Sequence, residues 1–479
     1  MKDKLILFGA GFYGRRAYAS LHEGHDILYY VDNNRKIQKT KIYDVPVIGA
    51  GELPKVLDSE RMDIVICARD YYEIENQLAD MGITDYYVTM EGFLYHTDYM
   101  EPMVPIELYQ GEYYRKEREG KSILFVQNAA CIRTCKIAKL MKEKGYDVNL
   151  LCTMAQPMER NEQGIFSHNY RLTSMNGIVD FIQNSEFDVI HCSNEPDILA
   201  NVALMANKPV VHDTHDMMSL RGDGSVNEMT LEYLANTGCH GNMYTSKAVA
   251  ELAIQKFGLG NKPVISLENY VYKPSDRKKT HEKLSDKDGK IHLVYEGGLD
   301  GRNRDGSRFL EGIWDRVISS GVHIHYYSQS DPEYCKMLDA RNESYHYEGN
   351  LSSEELVSEM TKYDAGLVLF HVTDRNRVFM ETGTANKLYE YLNAGLPVIV
   401  GGIQSYDDFV NQYKVGISLD LTGDIEKQIR KAVGIHIPEN FLADNNMTMM
   451  SRADELAEFY DSVARRHSLL MKKKREGAA

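Results

Sequence analysis

Residues 381–402 read ETGTANKLYEYLNAGLPVIVGG, the pattern of a helix running into a buried parallel strand. Thr382 or Thr384 is the expected N-cap, Leu388, Tyr391 and Leu392 supply an apolar face, and Gly395 with Pro397 stops the helix. Val398–Val400 is the short apolar run of a strand covered on both faces. Folding asks for no carboxylate at Glu390. A solvated helical Glu is one reading of it. The other is a ligand grip, because Asn386 and Lys387 lie one turn earlier on the same side. The free N–H groups near Thr384 suit a phosphate. Glu390 then falls about 9 Å further along, roughly the step from a diphosphate to the cis-diol of its ribose.

Outward from this unit, the chain is a succession of strand–helix pairs, so the expected class is α/β with parallel sheets. The first series opens with KLILFGAGFYGRRAYASLHEGHDILYYVDNN. A strand runs into Gly9-x-Gly11-x-x-Gly14, a helix follows, and a second strand ends at Asp32. That order suits a nucleotide phosphate at the helix start and a ribose at the acid. Residues 97–120 read as a linker. A second series starts at SILFVQN, and a third at IHLVYEGGLDGRNR after the polar stretch DRKKTHEKLSDKDGK. Two doubly wound units joined by a polar hinge predict a cleft with a ligand in it.

Composition narrows the classes. The chain has 479 residues, 43% hydrophobic and 26% charged, which is ordinary for a soluble multidomain protein. A net charge of −15 argues against a nucleic-acid partner. No run of about 18 apolar residues is present to span a bilayer. Seven scattered cysteines fit reduced thiols in a cytoplasmic protein, and CIRTC lacks the second ligand pair of a zinc site. No metal site is expected. The basic end, RRHSLLMKKKREGAA, suits contact with the inner face of a membrane as well as a solvated, unstructured tail.

Two resemblances sharpen these expectations. Residues 2–95, through the glycine loop, VDNN, VPVIG and DIVICA, resemble the small Rossmann-like domain found ahead of some bacterial sugar acetyltransferases. Residues from about 121 to 465 resemble a GT-B glycosyltransferase of the large retaining, family 4-like group. The matching pieces are DVIHCSNEPD, KPVVHDTHD, YTSKAVAELAIQKFG, LENY, YEGGLDGRNR, YHYEGNLSSEEL and NKLYEYLNAGLPVIV.

The expected fold is therefore twin Rossmann-like lobes of GT-B type preceded by a small Rossmann-like domain. The expected limits are 1–96 for the first domain, 97–120 for the linker and 121–280 for an acceptor lobe. A donor lobe covers 281–445, and a cross-over helix with a basic tail covers 446–479. The first domain is expected to be separable from transfer, so that a chain starting near residue 116 still works.

The resemblance implies sugar transfer with retention, from a nucleotide-diphosphate sugar to a hydroxyl of a saccharide, lipid-linked or protein acceptor. Bacterial surface polysaccharide or glycoconjugate synthesis is the expected setting, with no cofactor or metal required. It places Glu390 at the ribose-binding acid of an E-x7-E motif. The first acid should fall at 382, where Thr382 stands, with Glu381 one residue away. Gly297 and Gly298 leave room for a ligand, Thr384 and Asn386 join the donor site, and Arg302, Arg304 and Lys387 can neutralise the departing diphosphate. In VVHDTHD, His215 and Asp216 match the family's His and acid, against a bland core-edge histidine. His212 and Asp213 accompany them, Asn194 and Glu195 are weaker cleft candidates, and His191 reads as packing. Alternatives are a GT-B sugar-nucleotide epimerase and a non-catalytic nucleotide-binding scaffold. In the first domain Gly9, Gly11, Gly14 and Asp32 are the candidates for a nucleotide.

Overall fold

The computed structural model describes residues 3–476 except 60, 69–70, 91–92, 97–108, 110, 117–119, 154–163, 195, 222–223, 276–280 and 352. Three sheets follow one another along the chain. In the first, the strand Lys4–Phe8 lies between Asp26–Val31 and Asp63–Ile66, with short antiparallel pairs at both edges. The second sheet is wholly parallel, and its first strand, Ser122–Gln127, lies between Asp147–Cys152 and Val189–Ser193. The third repeats this plan, with His292–Glu296 between His323–Tyr327 and Ala365–Leu369. Helices cover both faces of these sheets, which is why strands such as SILFVQ are buried at every residue.

In each sheet the first strand is the point where the strand order reverses. Loops at its carboxyl end part to either side and leave a crevice. Gly9, the segment Asn128–Cys131 and Glu296–Gly298 lie at these three points. Of the residues read from the sequence, Gly9, Gly297 and Gly298 lie there.

The middle and C-terminal lobes share one apolar cluster, from Ile123 and Phe125 through Tyr270 and Val271 to Leu388 and Tyr391. Two segments join them side by side, and a parallel bridge pairs Val271 with Thr448. The long helix Ala453–Glu476 crosses back to pack on the middle sheet, where the Tyr460 hydroxyl meets His191 Nδ1 at 2.8 Å. His191 is fully buried, and its Nε2 lies 3.4 Å from Asp213 Oδ2, so it does more than pack. The basic segment expected as a free tail continues this helix to Glu476, with Lys473, Lys474 and Arg475 favourably placed in its last turn.

The segment expected as a linker is partly built into the middle lobe. Tyr114 is 4% exposed, stacks on Phe187 at 4.4 Å and hydrogen-bonds Asp147, while the Tyr113 hydroxyl donates to Asp180 at 2.7 Å. A chain starting at 116 would lose this packing. A cut before Tyr109, whose ring packs on Phe181 at 4.8 Å, keeps it.

Candidate active site

The C-terminal lobe contributes a pair of cations. The strand His292–Glu296 ends in Gly297 and Gly298, and Gly297 has φ +127°. A Cβ at Gly297 would stand 3.0 Å from Lys387 Nζ, and one at Gly298 would run into the Arg308 guanidinium. The two glycines thus make room for two side chains of the same lobe. Lys387 is 8% exposed and rests on the Tyr295 ring at 3.7 Å, with Phe370 at 5.3 Å. Burial brings its pKa down to about 7, helped by Arg308 and opposed by Glu296 and Glu390.

Two carboxyls accompany the cations. Glu390, three residues beyond Lys387 on the same helix, is half-buried. Glu296 is 7% exposed, and its Oε1 has no hydrogen-bond partner. Burial and then the Glu390 charge push the Glu296 pKa well up, against the pull of Lys387 and Lys136. Two close carboxyls avoid carrying two full charges, and the buried Glu296 is the one held protonated.

Across the cleft, the middle lobe presents His215 over a buried ion pair. Asp213 is completely buried and takes Arg133 bidentately, Nε at 2.9 Å to Oδ2 and Nη2 at 2.9 Å to Oδ1. Arg133 also donates to the Leu267 carbonyl at 2.6 Å and to Asn269 Oδ1 at 3.1 Å, which fixes the loop leaving this lobe. His215 Nε2 lies 3.3 Å from Asp213 Oδ2, and Asn194 clamps its backbone, accepting from His215 N at 2.6 Å and donating to the Asp216 carbonyl at 2.7 Å. Burial would lower the His215 pKa, but the Cys131 sulfur and Asp213 outweigh it and bring it up to about 10. Lys136 donates to the Tyr270 carbonyl at 3.0 Å. Burial lowers its pKa, while Glu390 across the cleft is the largest opposing influence.

Strand alternation separates the HDTHD residues. His212 turns to the opposite face, where its Nε2 meets Asp197 at 2.7 Å, and it is structural. Asp216 is half-buried beside His215, and Glu195 lies outside the described residues.

Several expectations are corrected. The helix starts at Asn386 with Ala385 as its N-cap, and the Ala385 N–H donates to the Tyr406 hydroxyl at 2.8 Å. Glu390 is therefore about 6 Å from the helix start, one turn in. Thr382 closes the preceding helix, its hydroxyl bonded back to the Val378 carbonyl at 2.8 Å. Glu381 pairs with Arg377 at 3.5 Å, so neither residue stands as a second acid beside Glu390. Thr384 lies by Glu268 and Asn386 is exposed. Arg302 is 88% exposed and pairs with Asp331 at 2.9 Å, and Arg304 is exposed. Their place at the loop is taken by Arg308, which sequence reading missed, as it missed Glu296, Arg133 and Lys136. A charge ending the apolar strand HLVYE was the available signal for Glu296. Among the described residues no group of three or more His, Cys, Asp or Glu side chains could hold a metal ion, and no helix is long and apolar enough to cross a membrane.

In the first domain, a Cβ at Gly14 would collide with the Gly9 carbonyl, so that glycine serves close helix–strand packing. Gly11 is the N-cap of the helix Phe12–Leu21. Both Asp32 oxygens accept backbone N–H groups, from Ala10 and Asn34, each at 2.8 Å. Asp32 holds the glycine loop in shape.

Family models match three separate stretches of the chain. Residues 1–89 match the C2185-like N-terminal family, 133–271 match Glycosyltransferase Family 4, and 316–434 match the Glucosyltransferase 3-like C-terminal domain. No curated protein sequence matches the chain. Among solved structures, a glycosyltransferase from Rickettsia africae ESF-5 shares 12% identity and a TM-score of 0.50, covering 72% of this chain and 99% of its own. HepE of Anabaena, in complex with UDP and glucose, shares 15% identity over 74% of this chain and 100% of its own, with a TM-score of 0.45. WaaG, a glycosyltransferase involved in lipopolysaccharide biosynthesis, shares 13% over 71% of this chain and 98% of its own, with a TM-score of 0.44. With a family 4 match over residues 133–271, a Glucosyltransferase 3-like match over residues 316–434 and two Rossmann-like lobes, the chain has a GT-B fold whose lobes each match a glycosyltransferase family model.

Proposed function

We propose that the protein transfers a sugar, with retention and without metal, from a nucleotide-diphosphate sugar held by the C-terminal lobe to a hydroxyl of a glycan or glycoconjugate held by the middle lobe. The observation that carries this reading is the buried Lys387 with Arg308 at a glycine turn, and Glu390 one turn further along the same helix. Two cations at the switch point suit a diphosphate leaving group, and the carboxylate suits the two ribose hydroxyls. Charge on the departing phosphate is stabilised by Lys387 and Arg308. His215, held by Asp213, faces the space between the lobes where the sugar and acceptor hydroxyl would meet. The leaving phosphate oxygen takes the acceptor proton in a front-face attack. The glucosyltransferase-like match makes a nucleotide-diphosphoglucose the first donor to test. Surface polysaccharide synthesis and contact of the basic helix end with the cytoplasmic face of a membrane belong to the same proposal. The first domain assists, by binding a nucleotide or another enzyme.

Calorimetry with a panel of nucleotide sugars tests the donor site. Glu390→Gln should weaken binding of the best donor at least about tenfold, since each charge-assisted hydrogen bond is worth on the order of 1.5–3 kcal/mol. Unchanged affinity would remove Glu390 from the ribose.

Arg308→Ala and Arg302→Ala form a matched pair. The first should lower transfer by about a hundredfold, as loss of a charge-stabilising donor does. The second removes an exposed ion pair and should stay within twofold of wild type by the same steady-state assay, about what a surface pair contributes. Equal losses would refute the assignment of Arg308. Transfer should also survive EDTA, and loss on chelation restored by manganese would overturn the cation-based account.

A further inference from the structure

The mechanism leaves one nucleophile at the cleft unused. Cys131 is half-buried at the start of the helix Ile132–Glu143, as its N-cap. Its Sγ accepts from Thr134 N at 3.4 Å, an arrangement normally built with Ser, Thr, Asp or Asn. Sγ also faces His215 Nδ1 at 3.9 Å, and the other nitrogen of that ring faces buried Asp213 at 3.3 Å. Thiol, imidazole and orienting carboxylate thus stand in line, the arrangement that activates a nucleophile. The remaining polar groups around the sulfur are the Thr134 hydroxyl at 3.4 Å, Gln127, whose Oε1 accepts from Cys131 N at 3.3 Å, and the Lys136 ammonium one turn along the helix. Arg133 is spent on Asp213, and Glu296 and Glu390 of the facing lobe act on Lys136.

We infer that Cys131 is a redox-modifiable thiolate, oxidised by small hydroperoxides, whose modification closes the cleft to donor and acceptor. Burial works against ionisation of this thiol, but His215 and the Thr134 hydrogen bonds bring its pKa down to about 6. The sulfur therefore carries charge at neutral pH while the imidazole beside it carries the proton. The other half-buried cysteine, Cys152, ends a strand in the same lobe.

The chemistry balances with a hydroperoxide and a small thiol as co-reactants. The thiolate attacks the terminal peroxide oxygen, an S–O bond forms and the O–O bond breaks. Sulfur loses two electrons, and the departing oxygen is released as hydroxide or alkoxide, protonated from solvent. The resulting sulfenic acid condenses with a small thiol, losing water, to a mixed disulfide, and a second thiol regenerates Cys131. The adduct would project from the helix start into the space beside His215 and opposite Glu390. This inference adds regulation to the proposed transferase site, and its first test reads neither donor nor transfer.

The full-length protein is alkylated with iodoacetamide across pH 4.5 to 9.5 (an assay range of about five units), and each cysteine is followed by peptide mass spectrometry. The Cys131 rate should reach half-maximum near pH 6. His215→Gln should move the midpoint up toward the ordinary thiol value of about 8.5. An ordinary midpoint in the native protein overturns the thiolate, whatever the protein transfers. In the second arm, hydrogen peroxide followed by a small thiol should abolish nucleotide-sugar binding in the wild type. Dithiothreitol should restore it, and Cys131→Ser, which keeps the cap, should be unaffected. Retained binding in the oxidised wild type, or equal loss in Cys131→Ser, overturns the switch.

Discussion

Replacing Lys387 by Met is expected to lower sugar transfer about 10²–10³-fold while leaving the fold intact, the range for loss of one preorganised charge at a leaving group. Met fills nearly the same slot against Tyr295 and Phe370, so packing survives and the charge is what disappears. A pH signature separates this from a misfolding effect. In the free enzyme burial holds the Lys387 pKa at about 7, so near neutrality only part of the population is charged. A diphosphate beside it favours the ammonium form and raises that pKa, so donor binding takes up a proton just above neutrality. Affinity should fall as pH rises above about 7, by up to about tenfold per unit. Calorimetry in buffers of different ionisation enthalpy measures the uptake directly. The wild type should show it and Lys387→Met should not. Identical uptake in both would move the titrating group elsewhere.

The largest expected loss of stability comes from Asp213→Ala. Breaking a buried, bidentate ion pair from one side costs about 3–5 kcal/mol, because Arg133 is left charged and without its carboxylate. Spread over a lobe of this size, that lowers the melting temperature by roughly 10 °C. Burial alone would raise the Asp213 pKa, but Arg133 and His215 hold it well below the usual carboxylate range. The sign follows from linkage. A depressed folded-state pKa gives stability that is fully present above the unfolded value of about 4 and fades only as pH falls toward the folded one. The stability gap between the wild type and Asp213→Ala should accordingly be the same in urea melts at pH 7 and pH 5, and narrow only below about pH 4. Arg133→Met combined with Asp213→Leu should recover most of the loss, since an apolar pair of similar volume replaces the charges. A single Asp213→Ala variant as stable as wild type would mean that the pair contributes nothing.

The two variants separate the lobes by role. In the proposed reaction Lys387 sits where charge develops on the donor, and its loss is read in rate and proton uptake. Asp213 sits under His215 and ties Arg133 to Leu267 and Asn269, at the segment that leaves the middle lobe. Its loss is read first in stability.

Sequence alone determined the class and the order of parts. Strand runs such as SILFVQ and VIVG bounded by glycines predict parallel sheet, because strands covered by helices on both faces must be apolar throughout. Local chemistry also marked Glu390, Lys387 and the Gly297–Gly298 turn, since a carboxylate, a lysine and paired glycines are not what a core helix and strand need. Helix-end residues were less legible. Tertiary contact with Tyr406 set the start at Asn386, in preference to either threonine.

Only the tertiary structure decided which cation serves the glycine turn. Arg302, Arg304 and Arg308 share one polar loop, and no local rule ranks them. The loop's path sends Arg302 to Asp331 and brings Arg308 to Gly298. The same holds for Glu296 and Glu390, nearly a hundred residues apart in sequence, and for Cys131, Asp213 and His215. Each acquires its chemistry from a neighbour that is distant along the chain, because burial and opposing charge depend on which elements meet in space, and local sequence pattern carries no record of that.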